Sequence, residues 1–464
     1  MILFASSLKE KEVREHTGRP PDWLSERPGR SADDTEDVKS DVNGSVAEIR
    51  AWLDENAAKG NPRVFSRTNF LGEMDLETEP SFQHYFALDI DSMGAEPVLV
   101  TRNYAEYSGA AWISEERIVV AGTARTDVHP DYVRDTDLFT VRPDGSEFRR
   151  FLDLPGLELG TPLVSPDRQS IAFLASDSED AGYAQTELGV VSLSDTTQAR
   201  LVTVDFDRSV SNPKWSEDGW YLYFSSDSDG GVPLYRLRPF GSPEADTTAR
   251  DSTLVAGELE AAPGVERLTS LQRGIQSYDV GRATVFFVAT EVANPYELYA
   301  SNLPFTQESR VTSHNAGWLA EKRLSFPDGH TLVHDGREIQ YWIMKPAFFD
   351  SSRSYPLLLA IHGGPSAMWG PGEDSMWHEF QFFASRGYAI VFSNPRGSGG
   401  YGYDFKRANY RDWGDGPAGD VLAVASEAAS LPWIDSTRQV VTGGSYAGYL
   451  TAWIVGHDDR FKAA

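Results

Sequence analysis

The chain has 464 residues, of which 42 are basic and 69 acidic, giving a net charge of −27 and an isoelectric point near 4.7. That length fits two to four domains with sizeable cores, and an apolar content of 40% with 12% aromatics excludes a disordered chain. So acidic a balance argues against nucleic acid and anionic membrane surfaces as partners, and the lack of cysteine removes any disulfide framework or thiolate metal site.

Lysine is scarce while arginine, aspartate and glutamate are plentiful. This pattern suits a salt-rich cytoplasm, where screening tolerates self-repulsion; the plainer reading is an ordinary acidic enzyme. No apolar run approaches the length of a membrane span. The opening "MILFASS" is too short for a secretory signal and no basic residue precedes its apolar core. The expected location is cytoplasmic.

In chain order, "ILFASS" from Ile2 has the character of a strand that follows an S-P-D-G turn, yet no turn precedes it, so the chain is expected to begin inside a repeat unit. Residues 8–61 form a polar insertion with one helix, opened by a capping box of Ser45 and Glu48 and stopped at Gly60. The acidic run "SADDTEDVKSD" before that helix reads as a mobile loop. "YFALDID" and "EPVLVTR" are candidate strands of an early repeat.

Three segments then align on a serine: "AWISEERIVVAGT" at Ser114, "PLVSPDRQSIAFLAS" at Ser165 and "PKWSEDGWYLYFSS" at Ser216, 51 residues apart each time. A second strand follows in each copy, from Asp137, Glu187 and Pro233, and a looser fourth copy starts at Val285. Several strands per repeat of this length predict a β-propeller, each blade burying its faces on its neighbours. An irregular β-sandwich is the competing reading. Four or five blades are visible, fewer than a large closed ring needs, so residues 1–320 are expected to be a propeller lacking its first blade or blades.

From Glu321 the repeat ceases and strands alternate with helices, which predicts a mostly parallel, helix-covered sheet over 321–464. "LVHDGREIQYWIMKP" is a hairpin around Asp335 and Gly336, and "YPLLLAIHGGP" a buried strand running into a glycine loop. "HEFQFFASRGYAIVFSNPRGS" is a helix, a stop at Gly387 and a strand, and "GDVLAVASEAASLPW" a further helix. "RQVVTGGSYAGYLTAW" then gives a strand, a tight turn carrying Ser445 and a helix, which is the pattern of a nucleophile elbow with Ala447 at its fifth position. The bland alternative is a glycine-flanked serine in an ordinary turn.

Reactive groups in such sheets gather at the C-terminal ends of the strands, so the His362–Pro365 loop and Ser445 should meet. A serine that attacks a carbonyl creates an oxyanion needing fixed donors. The N–H groups of Gly364 and Tyr446 are the candidates, with Gly363 as the alternative. His362 is expected to shape the loop rather than act as base. Three other patterns fit poorly. "GSGGYG" at Gly397–Gly402 with Asp420 mimics a dinucleotide site, but no helix opens directly after it. His330 and His334 sit on a strand, where four residues span roughly 13 Å, too far for one metal ion. "DSDGG" from Asp227 lacks the remaining calcium ligands. No cofactor and no metal are expected.

Together "HGGP", "NPRGSGGYGYDF" and "GGSYAGY" resemble the prolyl oligopeptidase family of serine peptidases, in particular its acylaminoacyl peptidase and dipeptidyl aminopeptidase-like branch, over Phe326 to the end. The resemblance implies an incomplete β-propeller followed by an α/β-hydrolase fold, a peptide substrate that is short or N-terminally blocked, and acyl transfer through Ser445 with Gly364 and Tyr446 as oxyanion donors. It also implies a triad order of serine, acid, histidine. After Ser445 only His457, Asp458 and Asp459 follow, all too close in sequence to return to it. The expectation is therefore a fragment, interrupted at both ends, with the catalytic domain cut after the elbow helix and "DRFKAA" leading into a further strand. Such a chain lacks the triad acid and base and is expected to be inactive as it stands. Competing readings are a carboxylesterase with the same elbow and a non-catalytic propeller-bearing remnant. Oligomeric state is left open.

Overall fold

The computed structural model describes residues 1–17, 21, 38–58, 81–123, 125, 128–129, 132–180, 182–240, 264–372 and 375–464. Gly60 and most of the acidic run before the second helix lie outside these. The chain divides into two compact units: Met1–Val164 with Arg168–Glu179 and Val191–Gln198, and Ser165–Asp167 with Asp180–Val190 and Ala199–Ala464.

In the first unit, β1 (Ile2–Lys9) pairs antiparallel with β2 (Ser81–Leu88) from Ile2↔Leu88 to Lys9↔Ser81, and β3 (Val98–Leu99) completes a three-stranded sheet. α1 (Glu10–Thr17) leaves β1 directly and was not expected from the sequence. Its one core residue is Val13, 1% exposed, packed with Leu8, Phe82, Leu99 and Tyr104. α2 (Val46–Ala58) has the capping box read from the sequence: Ser45 N–H donates to the Glu48 carboxylate at 2.7 Å, and Glu48 N–H donates to Ser45 Oγ at 3.4 Å. A four-stranded meander follows, β4 (Tyr107–Ser114), β5 (Arg117–Gly122), β6 (Asp137–Val141) and β7 (Arg149–Leu152), in that order. β8 (Leu157–Val164) and β9 (Ser170–Asp177) then form a hairpin.

β10 (Glu187–Ser192), which lies in the second unit up to Val190, pairs with β11 (Arg200–Leu201) at Gly189↔Leu201 and Val190↔Arg200. Two further meanders have strands in sequence order: β12 (Ser211–Trp215), β13 (Leu222–Ser225), β14 (Leu234–Leu237), β15 (Val265–Arg267), and β16 (Gly274–Val280), β17 (Thr284–Glu291), β18 (Asn294–Asn302), β19 (Glu308–Arg310). The 51-residue spacing is that of one structural feature. Ser114 ends β4, Ser165 follows β8 and Ser216 follows β12, each entering the turn to the next strand. Ser165 and Ser216 hydroxyls donate to Asp167 and Asp218, both at 2.6 Å, and Ser114 Oγ accepts from Glu116 N–H at 3.2 Å. These are side chains that hold a turn by bonding two residues on.

The last part of this unit is a six-stranded sheet in the order β20-β21-β23-β22-β24-β25. β20 (Pro327–His334) and β21 (Arg337–Met344) make a hairpin whose two central residues, Asp335 and Gly336, both have positive φ (49° and 75°), the backbone that matches strand twist. β22 (Tyr355–Ile361), β23 (Ala389–Ser393), β24 (Ile434–Gly443) and β25 (Phe461–Ala463) run parallel. The near-continuous apolar sequences of β22 and β23 follow from burial on both faces. Leu357, Leu359, Val391 and Val441 face α6 (Asp415–Ala429) and α7 (Tyr446–His457), while Leu358, Ala360, Ile390 and Phe392 meet Phe380 and Ala384 of α4 (Ser375–Ser385). The short α3 (Ala316–Leu319) precedes this sheet in sequence, and the short α5 (Tyr403–Lys406) lies between α4 and α6. Each of these fully buried aliphatic chains contributes about 1.5–3 kcal/mol.

Candidate active site

The parallel register decides where the two glycine loops go. Ala360 lies opposite Thr442 and Ile361 opposite Gly443, so His362–Gly363 and Gly444–Ser445 leave the sheet side by side. A Cβ placed on Gly363 would lie 3.3 Å from the Gly444 carbonyl oxygen and 3.6 Å from Ser445 Cβ. The loops expected to converge do so.

Ser445 is exposed and has φ 56° and ψ −125°. A side chain in that region costs about 1–3 kcal/mol, carried by the surrounding packing. A Cβ on Gly443 would sit 2.5 Å from Ala447 Cβ, and Ala447 is fully buried, so both flanking positions must be small. α7 begins at Tyr446, whose N–H has no intrahelical acceptor. The positive end of the helix dipole thus lies at the serine. The Tyr446 ring is held by Trp413: its Oη donates to the Trp413 carbonyl at 3.0 Å and the rings meet edge-on at 5.4 Å. Burial pushes its phenol up, so it stays neutral.

Gly364 has φ +114°, and a Cβ there would lie 2.5 Å from the N atoms of Ser366 and Ala367, so only glycine fits. His362 is 1% exposed and burial pushes its imidazole down to about 4, so it is neutral near pH 7. Nδ1–H donates to the Gly363 carbonyl at 2.8 Å, and Nε2 lies 2.9 Å from the Ser398 hydroxyl, whose one proton is shared with the Pro395 carbonyl at 2.6 Å. With both nitrogens committed, the ring shapes the loop and is not free to serve as base.

The histidine that follows the serine is committed too. His457 Nδ1–H donates to the Trp453 carbonyl at 2.7 Å and its ring stacks on Trp453 at 4.5 Å. It ends a twelve-residue helix that starts beside Ser445, roughly 16 Å away at about 1.5 Å per residue. Asp458 is paired with Arg460 at 2.8 Å. Among the described residues no histidine bonds to Ser445.

"GSGGYG" and Asp420 meet differently from a nucleotide site. Asp420, 0% exposed, accepts from Arg396 N–H at 2.9 Å, Nε at 2.8 Å and Nη2 at 2.7 Å, and lies 2.7 Å from His334 Nδ1. Arg396 Nη2 also donates to Asp335 at 3.0 Å. His334, on the β20–β21 hairpin, thus joins the buried Arg396–Asp420 pair through a contact that spans 86 residues of sequence. Nothing local in the sequence signals that contact. A cavity of about 740 Å³ is lined by Arg208, Asp229, Gln340 and Tyr401, and Ser445 is not among its lining residues.

Residues 374–464 match the model described as "Prolyl oligopeptidase family". This segment belongs to the prolyl oligopeptidase family. Among relatives, an uncharacterized peptidase, YuxL, of Bacillus subtilis is 41% identical over 195 residues, which is 41% of this chain and 29% of that protein. A probable dipeptidyl-peptidase 5 of Aspergillus clavatus is 28% identical over 340 residues, 70% of this chain and 44% of its own length. The chain spans less than half the length of these curated relatives. The fold likeness to Pyrococcus horikoshii acylaminoacyl peptidase has a TM-score of 0.68 at 22% identity, covering 87% of this chain and 58% of that one. The prolyl oligopeptidase family is one of serine-type peptidases, so the elbow lies in a hydrolase context.

Proposed function

We propose that this chain carries the nucleophile and oxyanion hole of a serine peptidase that acts on short or N-terminally blocked peptides. Ser445 is the nucleophile, and the N–H groups of Tyr446 and Gly364, with Gly363 as the alternative, receive the oxyanion. The observation that carries this is the approach of Gly363 to Ser445 across two adjacent parallel strands. Attack of Ser445 Oγ on the scissile carbonyl carbon forms a tetrahedral species whose oxygen takes the charge. The general base takes the Ser445 proton and returns it to the leaving nitrogen, so collapse breaks the C–N bond, expels the amine and leaves an acyl-serine; water then cleaves the ester, releasing the acid and restoring the Ser445 hydroxyl. His362 and His457 are bonded elsewhere, so the reading assigns the general base and its acid to residues other than these. On the same reading residues 1–320 form a β-propeller, supported by the repeated four-stranded meanders, and residues 321–464 form the catalytic α/β-hydrolase domain.

A fluorophosphonate probe followed by peptide mapping tests the site, with N-acetyl and free dipeptidyl anilides as substrates for the whole protein. Ser445 should be the labelled residue, and Ser445→Ala should remove both labelling and hydrolysis. Hydrolysis that survives Ser445→Ala would overturn the assignment. Turnover of simple esters with no cleavage of any anilide would favour a carboxylesterase instead.

A further inference from the structure

The loop that supplies Gly364 is held by a continuous path of contacts that begins far from the serine. Asp420 of α6 clamps both the backbone and the guanidinium of Arg396. Two residues on, Ser398 closes a turn through its N–H to the Pro395 carbonyl at 3.1 Å. Its side chain is fully buried, with the hydroxyl 2.6 Å from the Pro395 carbonyl and 2.9 Å from His362 Nε2. The His362 ring then fixes the Gly363 carbonyl through Nδ1–H.

That last bond has a directional consequence. The Gly363 carbonyl and the Gly364 N–H belong to one planar peptide unit and point opposite ways. Fixing the carbonyl on the imidazole therefore fixes the direction of the Gly364 N–H. Glycine at both positions would otherwise leave this plane free to rotate. A donor turned away by even a modest angle loses much of its hydrogen bond to a developing oxyanion.

We propose that Ser398, anchored by the Arg396–Asp420 pair, is a positioning residue for the oxyanion hole: its hydroxyl orients the His362 ring, which locks the Gly363–Gly364 peptide plane with the Gly364 N–H aimed beside Ser445. This rests on the peptidase reading of Ser445. Ser398 touches no substrate; it acts through His362 and the peptide plane.

The test is the rate of fluorophosphonate labelling at Ser445 in the whole protein, resolved into reversible binding and bond formation, for wild type, Ser398→Ala, Ser398→Thr and Ser445→Ala. One lost oxyanion donor typically costs about 10²–10³ in rate, so a loosened donor should slow bond formation by about 10–100-fold in Ser398→Ala. The reversible step should stay within about twofold, and threonine, which keeps the hydroxyl, should restore the rate to within about threefold. Unchanged bond formation in Ser398→Ala, or no recovery with threonine in a folded variant, would overturn the proposal. Absence of labelling in the folded wild type would instead count against Ser445 as nucleophile. Nitrogen-15 histidine spectra then decide the path separately: the His362 signals should show a neutral ring protonated at Nδ1 and should move in Ser398→Ala, and signals that do not move would refute it.

Discussion

At Gly443 an added methyl group would meet Ala447 Cβ at 2.5 Å and the Ala447 carbonyl oxygen at 2.7 Å, and the second of these is backbone at the start of α7. The helix would have to shift, and Ser445 with it. Overpacking of this kind costs about 1–3 kcal/mol. Gly443→Ala should therefore lower the urea midpoint and cut fluorophosphonate labelling, whereas a methyl at Gly444, which would meet no heavy atom within 4 Å, should disturb the packing far less. Equal stability of Gly443→Ala and wild type would show that the elbow is not packed as described. This part of the site was legible in the sequence, because the turn's demand for small residues is local. The Ser398–His362 and Arg396–Asp420 contacts were not, since they join residues 36 and 24 apart that only the folded sheet brings together.

The elements expected from strong local signals are present: the β20–β21 hairpin with its Asp-Gly turn, the buried strand before His362, and the helix behind the Ser45–Glu48 cap. α1 escaped notice because a single buried valine gives no helical period. Two elements also carry buried histidines that make the fold pH-sensitive. His84 on β2 is 0% exposed, bonded to Thr101 Oγ1 at 3.1 Å, and burial pushes it down to about 4; His362 at the end of β22 is pushed to about the same value. Both native values lie below the ordinary 6.5, so the unfolded chain binds the proton more readily. Stability is complete above about pH 6.5 and falls as pH drops from there through 4. Each histidine should cost about 2 kcal/mol at pH 5 and about 3 kcal/mol below pH 4. Urea melts at pH 7 and pH 5 check this: His84→Gln should flatten the pH dependence, and an identical slope in wild type and variant would rule His84 out as its source.

Over the whole chain, acidic residues exceed basic ones by 69 − 42 = 27. Many of the ion pairs present are exposed on at least one side, such as Arg142–Glu116 with glutamate 78% exposed and Lys214–Asp279 with aspartate 82% exposed, and pairs of that kind add little. Self-repulsion among the excess carboxylates is thus the larger electrostatic contribution, and it opposes the compact state. Salt should relieve it. The screening length falls from about 10 Å at 0.1 M to about 3 Å at 1 M, so most of the relief should occur below 1 M, where the screening length is still comparable to the spacing between surface charges. The melting temperature should rise steeply with potassium chloride up to that range and then level off. A salting-out effect on apolar burial behaves differently, since it keeps growing with concentration and is stronger for sulfate than for chloride at equal ionic strength. Two salts measured at matched ionic strength separate the causes: coincident curves mean screening, and a flat or falling curve in potassium chloride would show that the acidic surface exacts no stability cost.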